Sequence, residues 1–123
     1  MGNCSQQAPL RFFEKRFAIY EGAKNFIGSI VTSGKVNGDE VYKYLRTTNT
    51  VRWVVGPEVE DYLKRELYDP AIELQCLQAE LEGLPVGDAR SKNVARQSVI
   101  KTHINAQFEE LDRWFNSYLR LAH

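Results

Sequence analysis

The segment that decides the fold is residues 104–122, INAQFEELDRWFNSYLRLA. Because an α-helical turn takes about 3.6 residues, side chains spaced alternately three and four apart lie on one helical face. The apolar side chains of this segment follow that spacing: Ile104, Phe108, Leu111, Phe115, Tyr118 and Ala122. The segment therefore predicts an amphipathic helix with one face packed against a partner.

A second segment with this spacing lies near the start of the chain. Pro9 suits the first turn of a helix and Gly34 suits its end, which predicts a long first helix between them. A second set of apolar residues recurs every seven positions beside the main stripe, so the apolar face is wide enough to contact two neighbouring helices. The main stripe is Leu10, Phe13, Phe17, Tyr20, Ala23, Ile27 and Ile30, and the second set is Phe12, Ile19 and Phe26.

A third long helix is predicted to open at Pro57, where acidic residues follow near the positive end of the helix dipole. Pro70 interrupts its apolar stripe, because proline removes one backbone hydrogen bond and costs about 3 kcal/mol inside a helix. We expect a kink or break near Tyr68 and Asp69. The stripe is Val59, Leu63, Leu67, Pro70, Leu74, Leu77 and Leu81.

Shorter elements lie between these helices. Asn37, with Glu40 three residues later, predicts a cap for a second helix of about ten residues. Residues 53–55 are apolar but have no strand to pair with, so we expect a buried connector. Residues 84–90 form the principal loop, and Asp88 or Ser91 is expected to cap the last helix. The fold predicted is all-α: an antiparallel helical bundle of three long helices and one short helix.

The composition suits one domain. The chain has 123 residues, 43% of them hydrophobic, which predicts a flexible head over residues 1–8 and one helical-bundle domain over residues 9–123. Sixteen basic side chains balance sixteen acidic ones, so no overall field favours nucleic acid, and no nucleic-acid partner is predicted. The longest uncharged apolar stretch, residues 25–34, is too short to cross a bilayer. Two cysteines do not make a disulfide framework, and we expect a reducing, cytoplasmic compartment.

No group of residues has the spacing that catalysis or metal binding requires. His103 has no second ligand at helical spacing, so we expect a solvated or hydrogen-bonded histidine. Cys76 has no neighbouring histidine or cysteine, and a small buried hydrophobe is expected there. The acidic residues of the third helix are expected on its solvated face. The sequence thus predicts a non-enzymatic protein with no catalytic residue, no metal site and no cofactor.

The N-terminus offers one modification hypothesis. Gly2 and Cys4 are positions where acyl chains are attached in some proteins, and the nearby basic residues Arg11, Lys15 and Arg16 would attract anionic lipid. The match is imperfect, because the acylation pattern has serine or threonine where Gln6 stands. An unmodified head is the alternative.

From Phe12 onward the chain resembles a group of uncharacterised small bacterial proteins that often begin with a membrane-anchoring helix. The resembling segments are RFAIY at 16–20, WVVGPEV at 53–59 with Tyr62 and Leu63, LPVG at 84–87 with Arg90, and Phe115 with Tyr118 and Leu119. The resemblance implies a helical domain on the cytoplasmic side of a membrane and supplies no catalytic residue. This chain is expected to lack the anchor.

The leading hypothesis for function is a non-enzymatic interaction or scaffold domain, self-associating or near the cytoplasmic membrane, with an unidentified protein partner. Trp53, Tyr62 and Tyr118 each have an apolar body and a polar end; such residues serve both buried junctions and binding hot spots, and the sequence leaves both roles open. The wide aromatic face of the first helix is likewise compatible with a monomer core or a dimer interface. The candidate interaction residues are Phe12, Phe26, Trp53, Val54, Tyr62 and Tyr118. One alternative is a ligand-binding regulatory bundle with a cavity near Trp53 and Pro70; the other is a peripheral membrane-binding module.

Overall fold

The computed structural model describes the backbone of residues 3–120 and the side chains of residues 11–120. Gly2, the side chain of Cys4, and Ala122 lie outside these ranges. All regular secondary structure within the described backbone is helical, which confirms the all-α prediction. The helices are α1 (Asn3–Ser33), α2 (Gly38–Thr48), α3 (Val51–Val54), α4 (Pro57–Leu63), α5 (Asp69–Leu81) and α6 (Asp88–Phe115), and a π-helical turn (Lys64–Tyr68) joins α4 to α5.

Helix α1 is longer than its sequence signals predict. It begins at Asn3, so residues 3–8 are helical rather than part of a separate head, and Pro9 lies inside the helix instead of in its first turn. The predicted end is confirmed: Gly34 follows the last helical residue with φ of +73°, a conformation that glycine adopts without a steric penalty.

The core lies where α1 packs against α2 and against α6, and it continues between α5 and α6. From Ile19 to Ile30 helix α1 buries members of both apolar sets, Ile19 and Phe26 from the second set and Ala23, Ile27 and Ile30 from the main stripe. Helix α6 buries three members of its predicted stripe completely: Ile104, Leu111 and Phe115. The wide apolar face predicted for α1 is therefore buried in the second half of the helix, whereas Phe12 and Phe17 in the first half are exposed.

The cap and connector predictions have mixed outcomes. The side chain of Asn37 accepts a hydrogen bond of 2.7 Å from the Asp39 N–H, which confirms the cap of α2. The expected connector is the single helical turn α3, in which Val54 is buried and Trp53 is exposed. The expected cap of α6 is wrong, because Asp88 is its first residue and no side chain caps it.

Pro70 neither breaks nor ends its helix. The chain passes through one wider turn, in which the Asp69 N–H donates to the Lys64 carbonyl five residues earlier, before α5 continues. Such turns accommodate an extra residue in a helix without ending it. Two side chains from other helices contact carbonyl groups there: the Tyr44 hydroxyl donates to Leu63 O at 3.3 Å, and His103 Nε2 lies 3.1 Å from Glu66 O.

Candidate functional site

Residues 11–18 of α1 are poorly covered by the rest of the fold. None of the eight side chains from Arg11 to Ala18 is buried, whereas Ala23 and Ile27, further along the same helix, are fully buried. Phe12 belongs to the same seven-residue repeat as the buried Ile19 and Phe26, yet it is 46% exposed. The apolar stripe of α1 therefore continues past the part of the helix that the core covers.

Aromatic side chains cluster around Arg16 at this end of the fold. Arg16 Nε donates a 2.8 Å hydrogen bond to the carbonyl of Val54. Its guanidinium carbon lies 5.6 Å from the ring centre of Phe12 and 5.5 Å from that of Tyr118, within the range of cation–π attraction. Trp53, adjacent in sequence to Val54, is 77% exposed. We call this region the Arg16 surface, comprising Phe12, Phe13, Arg16, Phe17, Trp53 and Tyr118.

A row of neighbouring rings joins the Arg16 surface to the core. The rings of Phe13 and Phe17 are 6.1 Å apart, those of Phe17 and Tyr20 are 6.0 Å apart, and Tyr20 lies 5.7 Å from the fully buried Phe115. The Tyr20 hydroxyl also donates to Asp112 Oδ1 at 2.5 Å. The exposed aromatic residues are thus positioned by contacts that lead back to α6.

The predicted interaction residues divide between the surface and the core. Phe12 and Trp53 are exposed and Tyr118 is half-buried. Phe26, Val54 and Tyr62 are buried, and this corrects their place on a binding surface. Phe26 stacks on Tyr44 at 4.5 Å, and Tyr62 stacks on Trp114 at 5.0 Å while donating to Gln107 Oε1.

Sequence reasoning missed Phe17 as an exposed residue. It assigned Phe17 to the main stripe of α1, whose later members Ala23, Ile27 and Ile30 are buried. The spacing alone does not show where along α1 the core begins to cover this stripe. The stripe continues through Phe17 without a break, so the spacing gives no signal for its exposure.

A second region of interest is an open groove of about 350 Å³ beside Pro70, between the π-helical turn and α6. His103 Nε2 lies 3.0 Å from Glu66 Oε2, so the histidine is hydrogen-bonded as predicted. Arg96 donates to both carboxylate oxygens of Glu73 at 2.6 and 2.8 Å, and these bonds lower the pKa of Glu73. The charged groups of the Pro70 groove are therefore largely paired with one another.

The described side chains offer little for metal or thiol chemistry. Across residues 11–120 no group of three or more His, Cys, Asp or Glu side chains is arranged to hold a metal ion. Cys76 is exposed, which corrects the expected burial, because it lies on the outer side of α5. Among the helices within residues 3–120, none combines the length and apolarity needed to cross a membrane.

Comparison with known proteins identifies no relative: no family model, no curated protein and no solved structure matches the chain. The function is therefore inferred from the Arg16 surface and the grooves of this chain itself.

Proposed function

We propose that this protein is a non-enzymatic interaction domain that binds a protein partner through the Arg16 surface. One observation carries the proposal: Phe12, Phe17 and Trp53 remain 46%, 40% and 77% exposed at one end of a fold that buries its other phenylalanines on α1 and α6 more fully. Aromatic residues grouped with arginine are typical of binding hot spots. In this proposal the rest of the chain is an antiparallel helical bundle that supports the surface.

The partner proposed first is a second copy of the chain. The apolar stripe of α1 continues through Phe12, beyond the part of the helix that the core covers. The α1 helix of a second copy carries the same exposed stripe. Symmetric dimers use the same patch on both subunits, so one self-complementary helical face is sufficient. Spacing by sevens also suits packing between two helices.

The test is light-scattering mass over a hundredfold range of protein concentration. We expect the mass of the wild-type chain to rise toward that of a dimer, and a Phe12→Ser, Phe17→Ser variant to remain a folded monomer. Tyr42→Ser is the matched control, because Tyr42 is 64% exposed on α2 and lies outside the Arg16 surface. A wild-type chain that is monomeric throughout, or a double variant that still dimerises, would contradict self-association.

A second candidate function is peripheral membrane binding through the same surface. Arg11, Lys15 and Arg52 are exposed beside the aromatic residues, and basic groups near exposed aromatics favour anionic lipid. This candidate agrees with the cytoplasmic, membrane-proximal location that the sequence resemblance implies. It predicts co-sedimentation with phosphatidylserine vesicles that is lost in an Arg11→Gln, Lys15→Gln variant, while the same variant still dimerises if the partner is a second copy.

A further inference from the structure

A second groove, of about 460 Å³, lies between the α1–α2 loop, α5 and α6. It shares no residue with the Arg16 surface or the Pro70 groove. We call it the amide cleft because three glutamine side chains border it. The polar side chains used in the following argument are Gln75, Gln78, Gln97, Lys35, Lys101 and Glu82.

One wall of the amide cleft is fixed by Gln78. Its Nε2 donates to the Gly34 carbonyl at 2.8 Å, and its Oε1 accepts from the Val36 N–H at 3.1 Å. Gly34 itself has the positive φ that ends α1. This side chain therefore holds the loop between α1 and α2 against α5, and both polar ends of its amide are used in doing so.

Gln97 differs because its amide is only partly used. Asn93 Nδ2 donates to the Leu77 carbonyl at 2.9 Å, which leaves Asn93 Oδ1 to accept from Gln97 Nε2 at 2.7 Å. Gln97 is only 6% exposed, yet its Oε1 has no hydrogen-bond partner among residues 11–120. No fully buried side-chain atom in that range lacks a partner, so this oxygen keeps some access to solvent, and Gln97 is one of the residues that line the amide cleft.

The charges of the amide cleft are also unpaired. Lys101, one turn beyond Gln97 on α6, is half-buried. Its Nζ lies close to Gly34, 3.8 Å from the point that a Cβ atom would occupy there. Among the described side chains, neither Lys101 nor Lys35 lies within 4.0 Å of a carboxylate. Two lysines and one acidic residue, Glu82, line the cleft, so its net charge is +1. The Pro70 groove, in contrast, pairs its charges internally.

We infer that the amide cleft binds a small molecule carrying a carboxylate or phosphate group, a role separate from the proposed interaction function. Lys101 supplies the charge for the oxyanion, and Gln75, which also lines the cleft, supplies amide donors. Gln97 Oε1 accepts a hydrogen bond from a hydroxyl or amino group of the same ligand. The cleft volume is in the range of small-molecule sites.

The test is a titration of the isotope-labelled full chain, followed by NMR, with inorganic phosphate and separately with lactate at constant ionic strength. We expect saturable shifts of the backbone amides of residues 34–36 and of the Gln97 side-chain amide. Saturation by phosphate alone or lactate alone supports the site and identifies the oxyanion it takes. Saturation by neither overturns the proposal.

Variants distinguish a site from general charge attraction. Lys101→Gln is expected to weaken binding about tenfold or more, as loss of a charge-assisted hydrogen bond does. Gln75→Glu, which keeps the shape and places a negative charge at the cleft, is expected to do the same. Lys92→Gln removes an equal charge from an exposed position on α6 outside the cleft and is expected to leave the affinity unchanged. Equal effects of Lys92→Gln and Lys101→Gln would overturn the proposal.

Discussion

Nε2 of His103 lies 3.1 Å from the carbonyl oxygen of Glu66. In an α-helix this carbonyl would accept a hydrogen bond from the N–H of the residue four positions later, but that residue is Pro70, which has no N–H. A histidine on α6 thus occupies a position that the proline leaves without its usual helical donor. The contact requires the proton on Nε2, so it assigns the tautomer when the ring is neutral. It also links α6 to the π-helical turn.

His103→Leu is expected to lower the free energy of unfolding by about 1–2 kcal/mol, because a half-buried carbonyl loses its hydrogen bond. The cost should shrink in a Pro70→Ala background, since alanine brings a backbone N–H four residues after Glu66. Urea unfolding of the wild type, both single variants and the double variant measures this coupling.

The carboxylate of Glu66 also contacts His103, at 3.0 Å, and needs its own control. Glu66→Gln removes the charge while keeping the carbonyl contact, so its cost should be the same in the wild-type and Pro70→Ala backgrounds. If His103 replaces the donor that Pro70 lacks, His103→Leu lowers the free energy of unfolding by different amounts in the wild-type and Pro70→Ala backgrounds. Equal costs in the two backgrounds would contradict this role of His103.

Gly22 marks a close approach of α1 to α2. A Cβ at Gly22 would overlap Thr47 Cγ2 and lie 2.9 Å from Thr47 Cβ, so Gly22→Ala forces the helices apart. We expect a net loss of about 1 kcal/mol, because overpacking costs about 1–3 kcal/mol and the better helix propensity of alanine returns up to about 1 kcal/mol. Thermal and urea unfolding measure the change.

Gly28 on the same helix is the matched control. A Cβ there meets no atom within 4 Å, so Gly28→Ala is expected to stabilise the protein by about 0.5–1 kcal/mol. Thr47→Ser, which removes the overlapping methyl group, should recover part of the loss in Gly22→Ala. A stabilising Gly22→Ala variant would show that the helices do not approach so closely.

The fold class and some helix ends could be predicted from the sequence because they depend on local chemistry. Asn37 caps α2 through its own side chain, and Gly34 ends α1 through its own backbone conformation. The extent to which the core covers α1 could not be predicted, because the exposed Phe12 and Phe17 continue the same apolar pattern as the buried Phe26 and Ile27. Which part of the pattern is buried depends on where α2 and α6 lie along α1.

The candidate sites depend even more on distant parts of the chain. The Arg16 surface joins α1 to Val54 and Tyr118, and the amide cleft joins Gly34 to Lys101. These contacts link residues far apart in the sequence and leave no local motif. Residue type selected Trp53 and Tyr118 but also the buried Tyr62, and the seven-residue repeat on α1 selected Phe12 but also the buried Phe26.

Phe26 and Phe12 lie two heptads apart on α1 and should respond very differently to truncation. Phe26→Ala is expected to cost about 3–5 kcal/mol, because it removes a ring that is 1% exposed and stacked on Tyr44. Phe12→Ala should cost less than about 1 kcal/mol in the monomer, since Phe12 is 46% exposed. Urea unfolding at low protein concentration gives both values, and similar costs would mean that Phe12 is part of the core.

Tyr20 predicts a specific dependence of stability on alkaline pH. Its hydrogen bond to Asp112, together with partial burial, raises the pKa of Tyr20 from 10.0 to about 12. Below pH 10 the Tyr20 hydroxyl is protonated in both the folded and the unfolded chain, and its stabilising effect is complete. Between pH 10 and 12 the hydroxyl loses its proton in the unfolded chain but keeps it in the folded chain, so the free energy of unfolding falls as the pH rises. Tyr20→Phe should therefore be less stable than the wild type near neutral pH and should lose less stability between pH 10 and 12, as measured by urea unfolding at each pH.

The control is Tyr42→Phe, at a tyrosine that is 64% exposed, which should lose as much stability over this interval as the wild type. If Tyr20→Phe also lost as much stability as the wild type, the hydrogen bond to Asp112 would be excluded as the cause of the loss.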